Sequence, residues 1–293
     1  MNRIVTTGGF FFFLWGSSLS LQAQTWGLEY TGELQTGFNG KSCFANQLYL
    51  NAELEVNEHL KFCVSTLSLA RSRQDRVLDD LQVFSNLDAD NIVLTPCIAG
   101  VEWSINDSHS LYVGIRDVST DYFTSPVTAL FTNSSSGIFP TVSCIQQIAN
   151  FPLAAVGLHY SYTHQHLDLQ ASLYNGIGHD QITGRENVWR VDPKCDGLFA
   201  MTQADYSLNE SHYFLGGCLP TGTQVDREVR SALWVYAEQA LTPTLSLIAD
   251  YSHAFGKGVE CSDFAGAGVQ YAERQSIVGL FCDYARFGQQ EEC

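Results

Sequence analysis

From Trp26 onward the chain alternates between apolar and polar residues. Trp26, Leu28, Tyr30, Gly32 and Leu34 share one parity, and Glu29, Thr31, Glu33 and Gln35 share the other. The next segment repeats the pattern, with Leu48, Leu50, Ala52, Leu54 and Val56 set against Gln47, Tyr49, Asn51, Glu53 and Glu55. Successive side chains of a strand point to opposite faces, so each segment reads as a strand with one greasy and one wet side. Spans of about 9–11 residues, recurring in pairs, match strands that cross a bilayer. Two folds accommodate such strands: a transmembrane barrel, which this pattern favours, and a soluble sandwich with one solvated face.

The first residues indicate the compartment. Met1-Asn2-Arg3 is a basic start, Phe10 to Trp15 an apolar run, and Gly16-Ser17-Ser18 leads toward Ala23. This is the anatomy of a secretory signal peptide over 1–23, with a barrel expected over 24–293. The apolar run is shorter than the ~20 residues a spanning helix needs. A net charge of −16 argues against nucleic acid as a partner. The nine cysteines form no C-x-x-C pair, which leaves zinc and redox motifs without support. Their odd number precludes complete pairing within the chain. Free thiols are expected for most, with a disulfide set as the alternative. No G-x-S-x-G or metal-ligand spacing marks an enzyme, a metal site or a cofactor site.

Further strands are expected at 60–70, 97–105, 109–116, 153–163, 166–175, 196–208, 211–219, 231–241, 243–253, 264–272 and 276–286. Short turns such as Asn106-Asp107-Ser108, His164-Gln165 and Asn209-Glu210 alternate with the long segments 71–95, 117–152, 176–195 and 220–230. Sorting of short and long connections to opposite ends is a habit of outer-membrane barrels. The expected fold is therefore an all-β, antiparallel, up-and-down transmembrane barrel.

Particular stretches add to this. Ser110 to Asp117 leads into Asp121-Tyr122-Phe123-Thr124-Ser125, then Leu130 to Pro140 (LFTNSSSGIFP), then Phe151-Pro152-Leu153-Ala154-Ala155. Tyr30 to Glu33, Leu78 to Asn86 and Gly197-Leu198-Phe199 add shorter matches. Together they resemble the carbohydrate-selective porin family of the OprB type. The resemblance implies a sixteen-stranded outer-membrane barrel passing neutral sugars by diffusion, with inward-folded loops. About thirteen strands are legible here, so the closing C-terminal strands are expected to be missing, with 25–37 and 276–286 at two open edges. It leaves monomer and homo-oligomer open, and an adhesin or structural barrel is the alternative function.

A sugar pore needs hydrogen-bonding side chains and aromatic faces that hold a solute weakly. The long loop supplies Arg116, Asp117, Asp121, Tyr122, Phe123 and Asn133 as candidates for the constriction. Phe131, Phe139 and Pro140 have the alternative role of anchoring the loop to the wall. Alternation places Glu29, Glu33, Tyr49, Glu53, Glu102 and Asp168 on the wet face, as candidate pore lining.

Overall fold

The structure is a computed structural model. It describes residues 23–37, 40–73, 77, 85–87, 89–125, 127, 137–224, 226–273 and 276–288. The expected leader therefore lies almost wholly outside the described residues, as does Asn133.

The described residues form thirteen strands: β1 (Ala23–Thr36), β2 (Ser42–Asn57), β3 (Leu60–Arg71), β4 (Ile92–Asn106), β5 (His109–Arg116), β6 (Ala155–His164), β7 (Leu167–Asn175), β8 (Leu198–Leu208), β9 (Ser211–Pro220), β10 (Ser231–Thr242), β11 (Leu245–Phe255), β12 (Cys261–Glu273) and β13 (Ser276–Phe287). Each pairs antiparallel with its sequence neighbours in one sheet of order β1 to β13. One short helix, α1 (Pro140–Ser143), lies between β5 and β6. Strands β1 and β13 end the sheet, and no ladder joins them among the described residues. Two-residue turns link β2 to β3, β4 to β5, β6 to β7, β8 to β9 and β10 to β11, while the longer segments lie at the opposite end.

Every expected strand is present, and several start earlier than expected, two of them beside a bulge. Strand β4 begins at Ile92 rather than 97, and β12 at Cys261 rather than 264. In both cases a bulge breaks the alternation. The β3–β4 register shifts between Ser65/Thr66 and Leu67/Leu69, beside Pro96, which has no N–H for the ladder. Val93 and Leu94 are consequently both exposed despite being adjacent. In β12 the shift falls between Cys261 and Asp263.

The distribution of side chains is inverted relative to a soluble sandwich. The exposed face carries Leu169, Leu173, Leu215, Leu233, Val235 and Leu247, whereas Gln203, Asp205, Glu238, Asp250 and Ser252 are buried. A sandwich hides its greasy face. This wall presents it outward and turns its polar residues in, as lipid outside and water inside require. No helix among the described residues is long and apolar enough to cross a membrane.

This inversion predicts an asymmetric mutational response. Leu215, 63% exposed on β9, should tolerate Arg poorly, at about 2–4 kcal/mol if it sits near the bilayer midplane. Glu53→Arg, on the wet face of β2, should cost far less, limited to about 1 kcal/mol for its half-exposed pairing with Lys61. Folding yield into lipid vesicles measures both, and equal yields would refute the assignment of faces.

Candidate pore constriction

The segment after β5 turns inward because of what it can bury. A one-turn 3-10 helix, Val118–Thr120, redirects the chain, and the Val118 N–H donates to the Ala149 carbonyl at 2.7 Å, closing the base of the loop. Tyr122 then meets the wall, its hydroxyl 2.8 Å from Ser172 Oγ on β7 and donating to the Met201 carbonyl on β8 at 3.3 Å. Phe123, at a φ of 60°, directs its ring onto Trp234 (centroids 4.8 Å apart) and Phe139 (5.1 Å). Phe139 stacks on Phe264 of β12 at 5.2 Å. Pro140 opens α1, where its fixed φ suits a first helical turn. Thr141 Oγ1 lies 2.6 Å from Ser252 Oγ on β11, and Arg230 donates to the Ile145 carbonyl at 3.1 Å. Loop residues Val118, Tyr122, Phe123, Phe139, Val142 and Ile148 form one apolar cluster with inner-wall residues Phe199, Met201, Phe214, Trp234, Ile248 and Phe264. The loop thus covers the inner face of the second half of the sheet.

Charge gathers at the loop's root. Arg116 grips Asp121 through two bonds, Nε to Oδ2 at 2.6 Å and Nη2 to Oδ1 at 2.5 Å, with the side chains 15% and 7% exposed. Planar two-point pairing of this kind is the strong form of an ion pair. The guanidinium lies 4.6 Å from the centroid of the Tyr112 ring. That ring lies against Gly100, where a Cβ would approach the Tyr112 hydroxyl to 2.5 Å. His159 Nδ1 is 2.8 Å from Ser172 Oγ and 3.4 Å from Asp121 Oδ2.

Two polar clefts flank this root. One, of about 250 Å³, is lined by Glu102, Ser110, Tyr112, Arg116, Asp121, His159, Ser161, Thr163, Asp168 and Gln170. The other, of about 280 Å³, is lined by Glu29, Tyr49, Asn51, Ser65, Asp117, Ser119, Thr120 and Phe151, with Cys97 and Ile98. Burial pushes the Asp117 carboxyl up to about 6, against the opposing hydrogen bond from the Thr120 hydroxyl. Its charge therefore varies close to neutral pH.

The structure thus distributes the candidate residues. Arg116 and Asp121 meet each other and face one cleft together with Glu102 and Asp168. Asp117 faces the other cleft with Glu29 and Tyr49. Tyr122 and Phe123 are 1% and 3% exposed and turn into the wall, where they hold the loop. Phe139 and Pro140 are buried in the anchoring position, and Phe131 lies outside the described residues with Asn133. Glu33 accepts from Ser85 Oγ, and Glu53 and Glu102 bracket Lys61 at 3.8 and 3.3 Å.

Sequence reasoning passed over a second polar group beneath the loop. Ser125 Oγ donates to Glu238 and lies 2.9 Å from the Tyr236 hydroxyl, and His212 Nε2 sits 3.4 Å from Asp205. Parity was the available signal, since Asp205, His212 and Glu238 share the wet face with Asp168.

The fold is that of a porin-type barrel wall with an inward-folded loop. The fold is similar to that of Pseudomonas putida OprB in its high-pH structure, with a TM-score of 0.71 at 13% identity, over 89% of this chain and 74% of that one. It is also similar to two mutants of Rhodopseudomonas blastica porin, each with a TM-score of 0.52 over 91% of this chain and 83% or 85% of theirs, at 12% and 13% identity. No family model matches the sequence, and no curated protein does.

Proposed function

We propose that this chain is an outer-membrane porin through which small hydrophilic solutes, neutral sugars foremost, diffuse. The observation that carries this reading is the inverted wall combined with a loop that leaves polar clefts at its root. The likeness in fold to OprB supports the choice of sugars. In this reading Arg116, Asp117, Asp121, Glu102 and Asp168 exchange hydrogen bonds with sugar hydroxyls, and the buried Tyr112 ring backs the Arg116 guanidinium. Tyr122 and Phe123 keep the loop in place. Asn133 is assigned to the passage on the resemblance alone, and Glu29, Glu33, Tyr49 and Glu53 line the approach. The pore is taken to act within outer-membrane lipid, as a monomer or homo-oligomer.

A second feature bears on selectivity. The basic groups at the root are engaged, Arg116 by Asp121 and Lys61 by Glu53 and Glu102. Asp117 and Asp168 add negative charge to the clefts. A narrow low-dielectric passage feels fixed charge strongly, so small cations should be favoured over anions.

Vesicle swelling with neutral sugars of increasing size, alongside reversal potentials in a salt gradient, tests both readings. The wild type should admit small sugars and prefer cations. Glu102→Gln with Asp168→Asn should lower the cation preference and alter sugar flux severalfold. A chain that folds into vesicles but passes neither sugars nor ions would favour the adhesin or structural alternative.

A further inference from the structure

The eight cysteines among the described residues are free thiols. Two of them lie on the two sides of the seam between loop and wall, one at the end of α1 and one at the start of β12. Cys144 caps α1, its N–H donating to the Pro140 carbonyl at 3.0 Å, and is partly exposed. Cys261 opens β12 and is fully buried. Helix α1 lies against β10, β11 and β12. The residues around Cys144 are clamped to that part of the wall: Phe139 on Phe264 at 5.2 Å, Thr141 to Ser252 at 2.6 Å, and the Ile145 carbonyl to Arg230 at 3.1 Å. Electrostatics agree with this placement, since Cys144 feels the Glu260 carboxylate and Cys261 feels Cys144.

We propose that Cys144 and Cys261 are a dithiol–disulfide pair that latches the inward loop covalently to the barrel wall. The oxidant is a small disulfide, such as oxidised glutathione, or a disulfide-bearing thiol oxidoreductase of an oxidising compartment. The exposed member reacts first. The Cys144 thiolate attacks one oxidant sulfur and displaces one thiolate, leaving a mixed disulfide. The Cys261 thiolate then attacks the Cys144 sulfur and displaces the second. Two electrons pass to the oxidant, and the two thiol protons end on its two released thiols. Burial raises the Cys144 thiol, so the first step should accelerate as pH rises above neutral.

Oxidation therefore turns a loop held by packing into one held by a bond. The full chain, folded in detergent, is incubated with oxidised glutathione, alkylated, digested and mapped by mass spectrometry. The expected product is a peptide pair joining Cys144 to Cys261, lost in Cys144→Ser and formed faster at pH 8.5 than at pH 7. In bilayers, oxidation should reduce open-channel current fluctuations severalfold, and dithiothreitol should restore them. Alkylation of both thiols after oxidation, or linkage of either to a third cysteine, would overturn the pairing. A Cys144–Cys261 link that leaves the current noise unchanged would overturn the latch. Because Cys144 is partly exposed, its Ser variant keeps the fold, and mapping of the unaltered chain stands independently of any Cys261 variant.

Discussion

Arg116→Ala should destabilise the constriction by about 3–5 kcal/mol, the usual consequence of removing one partner of a buried pair. The loss arises less from the missing attraction than from what remains. Asp121, 7% exposed, would lose both guanidinium hydrogen bonds, with the His159 ring 3.4 Å away. The Tyr112 ring would also lose the guanidinium it supports. The loop should then detach at its root, giving larger and noisier conductance and faster protease cleavage within 117–154. Arg116→Ala combined with Asp121→Ala should recover a substantial part of the stability, because no orphaned charge is left. Urea unfolding in detergent and single-channel recording measure the two effects. If the single and double variants are equally stable and conduct like the unaltered chain, the pair does not hold the loop.

Phe139→Ala tests the other anchor, with an expected cost of about 3–5 kcal/mol for truncating a buried aromatic. Phe139 is 3% exposed and lies between Phe123 at 5.1 Å and Phe264 at 5.2 Å, with Phe214 at 6.5 Å. Truncation leaves a cavity that rigid strands cannot collapse to fill. The loop tip should lift, and conductance should rise. No charge is lost, so ion selectivity should change far less than with Arg116→Ala. Phe139→Leu should restore most of the anchoring by refilling the volume. Unchanged conductance in Phe139→Ala would show that α1 is held to the wall by its hydrogen bonds alone.

The wet face of each strand was readable because it is a matter of parity. Asp168, Glu102 and Glu29 needed only an odd count from their apolar neighbours. Parity failed where a bulge inserted a residue, as around Val93 to Pro96 and at Ser262. It also suggested a watery inner face throughout, whereas Phe199, Phe214, Trp234 and Phe264 point inward and are buried. These aromatics sit on the wet parity because the loop, rather than water, lies against them. Likewise Tyr122 and Phe123 look in sequence like sugar-facing aromatics, and only the fold shows that their faces are already occupied.

By itself the sequence determined the thirteen antiparallel strands, the outward direction of their apolar side chains and the alternation of short and long connections. These are local properties, set by a two-residue period and by turns that join neighbours. The tertiary structure decided which charges meet and which aromatics anchor. Arg116 chose Asp121 over the adjacent Asp117 because a 3-10 turn brings the farther carboxylate back to the guanidinium. Ser125 found Tyr236, 111 residues away, and Thr141 found Ser252 at the same separation. Such meetings depend on a long loop trading water for an aromatic wall, a choice made by the summed burial of both surfaces and by no single stretch of chain.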